Sequence, residues 1–176
     1  MDFLFYCRDK PNVSALLERH VEAHWSYMDG YAERLLTRGP SLSDDGEVHT
    51  GSLHIVRLDD RAEAEAFAYQ EPFYRAGVYG EVMIRRWHDR LGRGMRDFKP
   101  ANDDPLFLVL GHAAATPDLA TRLGDRAAVY GGTLTLDGTE QAGFAAILQA
   151  PSRDAVAALL GGTQAEIHRW RIGGRH

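Results

Sequence analysis

Two histidines one helical turn apart, His20 and His24, are the first side chains in this sequence whose spacing could do chemistry. An i, i+4 pair on a helix faces one way and has the spacing with which some helices grip a metal ion. No third ligand completes it. Glu18 and Glu22 fall on other faces, and His49, His54, His88, His112, His168 and His176 form no ligand spacing, so no metal site is expected. Cys7 is the only cysteine, which rules out an intrachain disulfide. It sits in the apolar run Phe3-Leu4-Phe5-Tyr6-Cys7, the setting of a small buried hydrophobe. A catalytic thiol would need an electropositive, accessible pocket. No Gly-x-Gly-x-x-Gly follows a strand and no Walker-type loop is present, so nucleotide binding has no support.

Composition narrows the partners. The chain has 176 residues, 44% hydrophobic and 26% charged, with a net charge of −5. An acidic chain without a long basic run is a poor nucleic-acid binder. The arginines at Arg85, Arg86, Arg90, Arg93 and Arg96 read as a solvated strand end and linker. No apolar run reaches the roughly 18 residues of a membrane span, and no signal-peptide pattern is evident. The expectation is a cytoplasmic protein that binds neither nucleic acid nor membrane.

The elements that must position any site follow a recurring pattern. Phe3–Cys7 reads as a buried strand. Ser14 is the candidate N-cap of a helix with Leu16, Leu17, His20, Val21, His24 and Tyr27 on its repeating face, running to about Leu36 before Gly39-Pro40 stops it. Ser43–Gly46 is a turn and Gly51–Leu58 a strand. Asp59-Asp60 caps a helix over Arg61–Tyr69, and Val82–Trp87 is a strand, with room for another between residues 34 and 42. This is the ferredoxin-like, split βαβ order. The second half repeats it: a strand over Leu106–Leu110, a helix opened by Thr116-Pro117 and extending through the Leu119–Tyr130 region, and a short strand at Thr133–Leu136. A strand over Gly143–Gln149, a helix from Ser152 to Leu160 and a strand over Ala165–Ile172 complete it. Gly51–Arg61 lies beside Gly143–Arg153, and Ile84-Arg-Arg-Trp87 beside Ile167-His-Arg-Trp170, which reads as an internal duplication. The expected division is 1–95, a linker at 96–104, and 105–176. Two halves of roughly 80–90 residues each bury a modest core and gain by packing together.

Four stretches of the first half resemble the YCII-related (YciI-like) family. They are Tyr6-Cys-Arg-Asp-Lys10 on the opening strand, His24-Trp-Ser-Tyr-Met28, Arg34-Leu-Leu-Thr-Arg-Gly-Pro40, and Glu71-Pro-Phe-Tyr-Arg-Ala-Gly-Val-Tyr79. The resemblance implies a ferredoxin-like α+β fold of the dimeric α/β-barrel type, normally a homodimer of single domains. Together with the alignment of the halves it implies two tandem ferredoxin-like units packed as a pseudo-dimeric α/β barrel, the second a degenerate copy without the motif. It implies a histidine–carboxylate pair, carried here by His24 and by Glu71, where the family has aspartate. The added methylene changes the angle at which the carboxylate meets His24, so the dyad survives, shifts or is lost. The resemblance also brings a reaction class: a lyase or isomerase, like a dehydrochlorinase or a muconolactone isomerase, acting on an aromatic or lactone substrate.

Such chemistry needs proton transfers at fixed positions and no cofactor. An imidazole can carry a proton either way near neutrality, and a carboxylate partner fixes its tautomer. Pocket walls are expected from Tyr6, Tyr27, Phe73, Tyr74 and Tyr79, with Arg38 and Ser41 flanking Gly39-Pro40 as oxyanion ligands. The alternative is a non-catalytic binding or carrier protein whose dyad has degraded. The tandem chain would be a pseudo-dimeric monomer or a homodimer.

Overall fold

The structure is a computed structural model describing residues 1–175. The first half runs β1 (Asp2–Asp9), α1 (Ser14–Asp29), β2 (Leu35–Leu42), β3 (His49–Arg57), α2 (Arg61–Tyr69), the single turn α3 (Pro72–Arg75) and β4 (Tyr79–Asp89). The second runs β5 (Leu106–Gly111), α4 (Leu119–Leu123), β6 (Ala127–Leu134), β7 (Gln141–Gln149), α5 (Arg153–Leu160) and β8 (Ala165–Trp170).

All eight strands close one barrel in the order β1-β3-β2-β8-β5-β7-β6-β4. Within it each half keeps the same internal order, β4-β1-β3-β2 and β8-β5-β7-β6, and the halves meet where β2 pairs with β8 and β4 with β6. The registers also correspond. Leu4 of β1 lies opposite Ile55 and Arg85, and Leu108 of β5 lies opposite Ile147 and His168. Register shifts fall between Ser41 and Leu42 in one half and between Thr133 and Leu134 in the other. Even the close approaches recur: a Cβ on Gly39 would come within 2.6 Å of the Trp170 ring, and one on Gly131 within 2.5 Å of the Trp87 ring. Each tryptophan therefore fills the barrel against a glycine of the other half.

The strands are buried on both faces, so their sequences read as near-continuous apolar runs. Alternation sorts them. Leu4, Tyr6, Leu53, Ile55, Leu108, Leu110, Ile147 and the two tryptophans fill the barrel interior. Phe3, Phe5 and Val56 point outward beneath Met28 of α1 and Phe67 of α2. Phe107, Val109 and Phe144 point outward beneath α4 and α5. At one end of the barrel Arg8 reaches across the halves to Glu166 (2.6 and 2.7 Å), which also binds His112 and His168. Burial would raise the Glu166 carboxyl, but these three donors outweigh it and hold it at about 2.

Several boundaries differ from the sequence expectation. Val13, not Ser14, occupies the N-cap position of α1, with no side-chain cap. That helix stops at Asp29 because Leu35 and Thr37 are needed on β2, where both are buried. In the second half the expected long helix is the five-residue α4, ended at Gly124 with φ +52. Ala127-Ala-Val-Tyr130 instead begins β6, because these residues are buried on both faces of the barrel wall. Asp60 caps α2 as its position suggests, accepting from the Glu63 amide at 2.8 Å. The segment 96–104 is stapled to β7: Gln149 accepts from the Ala101 amide (2.9 Å) and donates to the Asn102 carbonyl (2.7 Å).

Candidate active site

The site lies on the outer face of the first half's sheet, under α1. Glu71 sits between α2 and α3 in extended conformation and caps α3, its Oε2 accepting from the Tyr74 amide at 2.9 Å ahead of Pro72. Proline suits the first turn because its missing N–H would have no partner there. With one oxygen fixed by the cap, Oε1 meets Nδ1 of His24 at 2.5 Å. The extra methylene thus lets one carboxylate hold a helix start and a histidine together. Both side chains are nearly enclosed, 11% and 4% exposed. The His24 ring stacks on Phe73, centroids 4.3 Å apart and planes within 10°. Its Nδ1 is engaged, so Nε2 is the nitrogen left for a ligand.

A cavity of about 290 Å³ opens beside His24. Its walls are mostly apolar: Leu17, Val21, Trp25 and Met28 from α1, Pro40 from β2, and Phe73. Its polar side chains are His24, His49, Ser52, His54, Arg38, Arg171 and Glu18, the last of which the sequence pattern places on another face than His20 and His24. Three of the protein's eight histidines therefore converge on one small cavity. His54 is fully buried, its ring 5.8 Å from that of His24. Burial pushes its pKa well below the usual value, and the neighbouring His24, Arg38 and His49 push the same way, so it is a neutral imidazole at neutral pH. His49 lies at the start of β3 with Nδ1 2.6 Å from Oδ2 of Asp9, whose side chain is 4% exposed.

The second half completes the enclosure. Beyond β8 the chain crosses onto the first half, the Arg171 amide bonding the Pro40 carbonyl (3.3 Å) and the Gly173 amide the Arg38 carbonyl (2.9 Å). Residues Arg171 to Gly174 form one wall of the cavity. Arg175 then clasps α1: it binds Asp29 Oδ2 and Ser26 Oγ, both at 2.9 Å, pairs with Glu22, and lies over the Trp25 ring.

Of the nine residues singled out from the sequence, His24, Glu71, Phe73 and Arg38 come together here. The other five do not line the cavity. Tyr6 alternates into the barrel interior, where its hydroxyl meets Ser41 Oγ at 3.1 Å, so both lie on the far side of the sheet. Tyr27 turns toward α2 and donates to the Phe67 carbonyl at 3.2 Å. Tyr74 faces outward against Tyr69, and Tyr79 packs behind Phe73. Cys7 is buried next to Phe73 and Val78, and burial pushes its thiol far up, so it supplies no thiolate. Sequence reasoning missed Asp9, His49, His54 and the C-terminal wall. The signal for His54 and Ser52 was available: they alternate with Leu53 and Ile55, placing polar side chains on a strand face that must be covered. Among the described residues no group of three His, Cys, Asp or Glu side chains is placed to hold a metal ion. Among the described residues no helix is long and apolar enough to cross a membrane.

A profile of the YCII-related domain matches residues 1–88, half of the chain. The protein belongs to the YCII-related family. The matched span holds His24, Glu71 and the strands beneath them. An uncharacterised protein of Haemophilus influenzae strain Rd is 31% identical over 94 residues, 48% of this chain and 94% of its own. The 5-chloro-2-hydroxyhydroquinone dehydrochlorinase of Burkholderia phenoliruptrix AC1100, solved with 2,5-dihydroxybenzoquinone, is 27% identical, spans 50% of this chain and 94% of its own, and gives a TM-score of 0.47. The whole barrel also has counterparts. A candidate chlorite dismutase at 10% identity superposes with a TM-score of 0.55 over 97% of this chain and 94% of its own. That likeness places the complete chain, both halves together, in the dimeric α/β-barrel fold and says nothing of its chemistry. A YCII-related unit thus occupies half of this barrel.

Proposed function

We propose that the protein is a small-molecule lyase or isomerase that works by proton transfer at His24, oriented by Glu71, without a cofactor. The observation that carries this reading is the buried Glu71–His24 hydrogen bond at the edge of an apolar cavity. A carboxylate accepting from Nδ1–H leaves Nε2 as the basic nitrogen, the tautomer a general base requires. The neutral His54 can donate a hydrogen bond to developing negative charge, and Arg38 adds a guanidinium to the same wall. For scale, a dry apolar cavity of about 150 Å³ accommodates benzene. The volume here suits a substituted six-membered ring or a lactone of similar size. The second half reads as a duplicate of the first that has kept the barrel and lost the site, which makes the chain a pseudo-dimeric monomer.

The test is a thermal-shift screen of the wild type and His24→Ala against phenols, hydroxyquinones, lactones and dicarboxylates, followed by turnover assays on the hits. A compound that stabilises only the wild type and is turned over supports the enzyme. Turnover should fall about 10²–10⁴-fold in His24→Ala, the usual share of a general acid–base residue. Compounds that stabilise both proteins without turnover would replace this reading with a non-catalytic binding protein.

A further inference from the structure

We propose that His49, held by Asp9, is a second proton-transfer residue of the same cavity, so that the site moves a proton between two positions of one bound ring. The inference rests on the reading of His24 given above and extends it from a single base to a pair. Both histidines have the same construction. Each has Nδ1 on a carboxylate whose side chain is 4% exposed, at 2.5 Å for Glu71 and 2.6 Å for Asp9. Each leaves Nε2 for the cavity that both rings line. Phe73 connects them, carrying His24 on its face and His49 at its edge, with centroids 4.3 and 6.4 Å away.

The two pairs come from different elements. Glu71 and His24 belong to the helical layer, while Asp9 and His49 are at the paired ends of β1 and β3. Asp9 also carries a cost that β-sheet pairing does not explain: its Oδ1 is buried with no hydrogen-bond partner. A buried carboxylate that spends its one contact on a histidine at a ligand cavity is more readily understood as orienting that ring than as bracing the sheet. His54, buried behind the two rings and kept neutral chiefly by that burial, does not compete for the proton.

The chemistry balances with two histidines and no other reagent. For a bound β,γ-unsaturated cyclic ketone, neutral His24 takes a proton from the carbon between the carbonyl and the double bond. The C–H electron pair passes into a dienolate. Imidazolium His49 gives its proton to the γ-carbon, and the double bond moves into conjugation with the carbonyl. The ring loses one proton and gains one, and the two histidines re-equilibrate through solvent.

The 176-residue chain is tested with 3-cyclohexen-1-one in D₂O. NMR follows deuterium entering at C2, and absorbance follows the conjugated product. The wild type should do both above the buffer background, and His24→Gln should lose both. His49→Gln and Asp9→Asn, the latter a variant that keeps the side chain's shape, should lower conversion on the order of 10²-fold while slowing C2 exchange far less. Conversion at the wild-type rate in both variants overturns the role of His49 and leaves His24 standing. Exchange at C2 without conversion in the wild type likewise overturns the pair but not the single base. Neither exchange nor conversion in the wild type would remove the His24 reading and this inference with it.

Discussion

Glu71→Gln separates the two tasks of Glu71 more sharply than any truncation. The wild-type carboxylate accepts twice, from the Tyr74 amide at 2.9 Å and from His24 Nδ1 at 2.5 Å. A carboxamide has one acceptor oxygen and one donor nitrogen. If its oxygen keeps the helix cap, its NH₂ faces Nδ1, which must then become the acceptor. The ring's proton moves to Nε2 and the basic nitrogen is lost from the cavity. If the oxygen keeps His24, the NH₂ confronts the Tyr74 N–H, and the cap is lost at a cost of typically ~1 kcal/mol. Either arrangement also exchanges a hydrogen bond to a charged group, worth about 1.5–3 kcal/mol, for a weaker neutral one. A net loss of about 1–3 kcal/mol follows, and in a chain of this size each kcal/mol lowers Tm by roughly 2–4 °C. Calorimetry should therefore find Glu71→Gln a few to about 10 °C less stable. ¹⁵N NMR of the His24 ring should show the proton on Nε2, with turnover of any substrate down by about 10²-fold or more. Glu71→Asp should keep the cap, because aspartate is a favoured N-cap, while its shorter reach weakens the His24 contact. Unchanged Tm together with an unchanged His24 tautomer in Glu71→Gln would refute the dual role.

Three further outcomes follow from the same geometry. His54 has a depressed folded-state pKa, so its contribution to stability is present above the unfolded value of about 6.5 and is lost as pH falls below it, at up to ~1.4 kcal/mol per unit. Urea denaturation of His54→Gln between pH 7 and 5 should show a shallower loss than the wild type, and an identical slope would place the acid sensitivity elsewhere. Gly39→Ala and Gly131→Ala should each destabilise by about 1–3 kcal/mol, since each new Cβ drives into a backbone carbonyl, of Arg171 or His88, as well as a tryptophan ring of the opposite half; denaturant midpoints matching the wild type would contradict the packing described. Arg175→Ala should leave global stability nearly unchanged, because its ion pairs are open to solvent. Amide exchange at residues 171–174 should nevertheless accelerate several-fold as the wall loosens, and unchanged exchange would show that the backbone bonds to β2 suffice.

Most of the barrel could be read from the sequence because its strands are buried on both faces and carry few polar residues. Gly51 and Gly143 could be aligned, as could Trp87 and Trp170, because each is held by a close contact that few substitutions survive. The helical layer was less legible. A helix in this position is defined by what it covers, and Thr116 and Pro117 signal a helix start without fixing its length, which is five residues in α4. The aromatic walls failed for a related reason. Tyr6 and Ser41 are close to the motif in sequence, but strand alternation sends both into the barrel. The sequence motif identified His24 and Glu71 because they touch each other. It could not reveal the contact of Asp9 with His49, which β1–β3 pairing creates, or the C-terminal wall, which reaches the site only across the β2–β8 seam.

The asymmetry between the halves explains why the cavity of about 290 Å³ lies on the outer face of the first half. Arg38 and His54 lie opposite each other on β2 and β3, and the matching pair on β6 and β7 is Tyr130 and Ala146. Tyr130 packs with Phe144, Leu119 and Leu160 in an apolar cluster on the second half's outer face. No polar pair then needs a ligand or water, and a long covering helix has nothing left to enclose. Beyond β8 the second half sends its C-terminal segment across the β2–β8 seam onto the first half's site. In a symmetric pair of single units, each site would have to be walled by its own unit or by an identical neighbour. In this chain the C-terminal segment of the second half supplies a wall to the cavity on the first half.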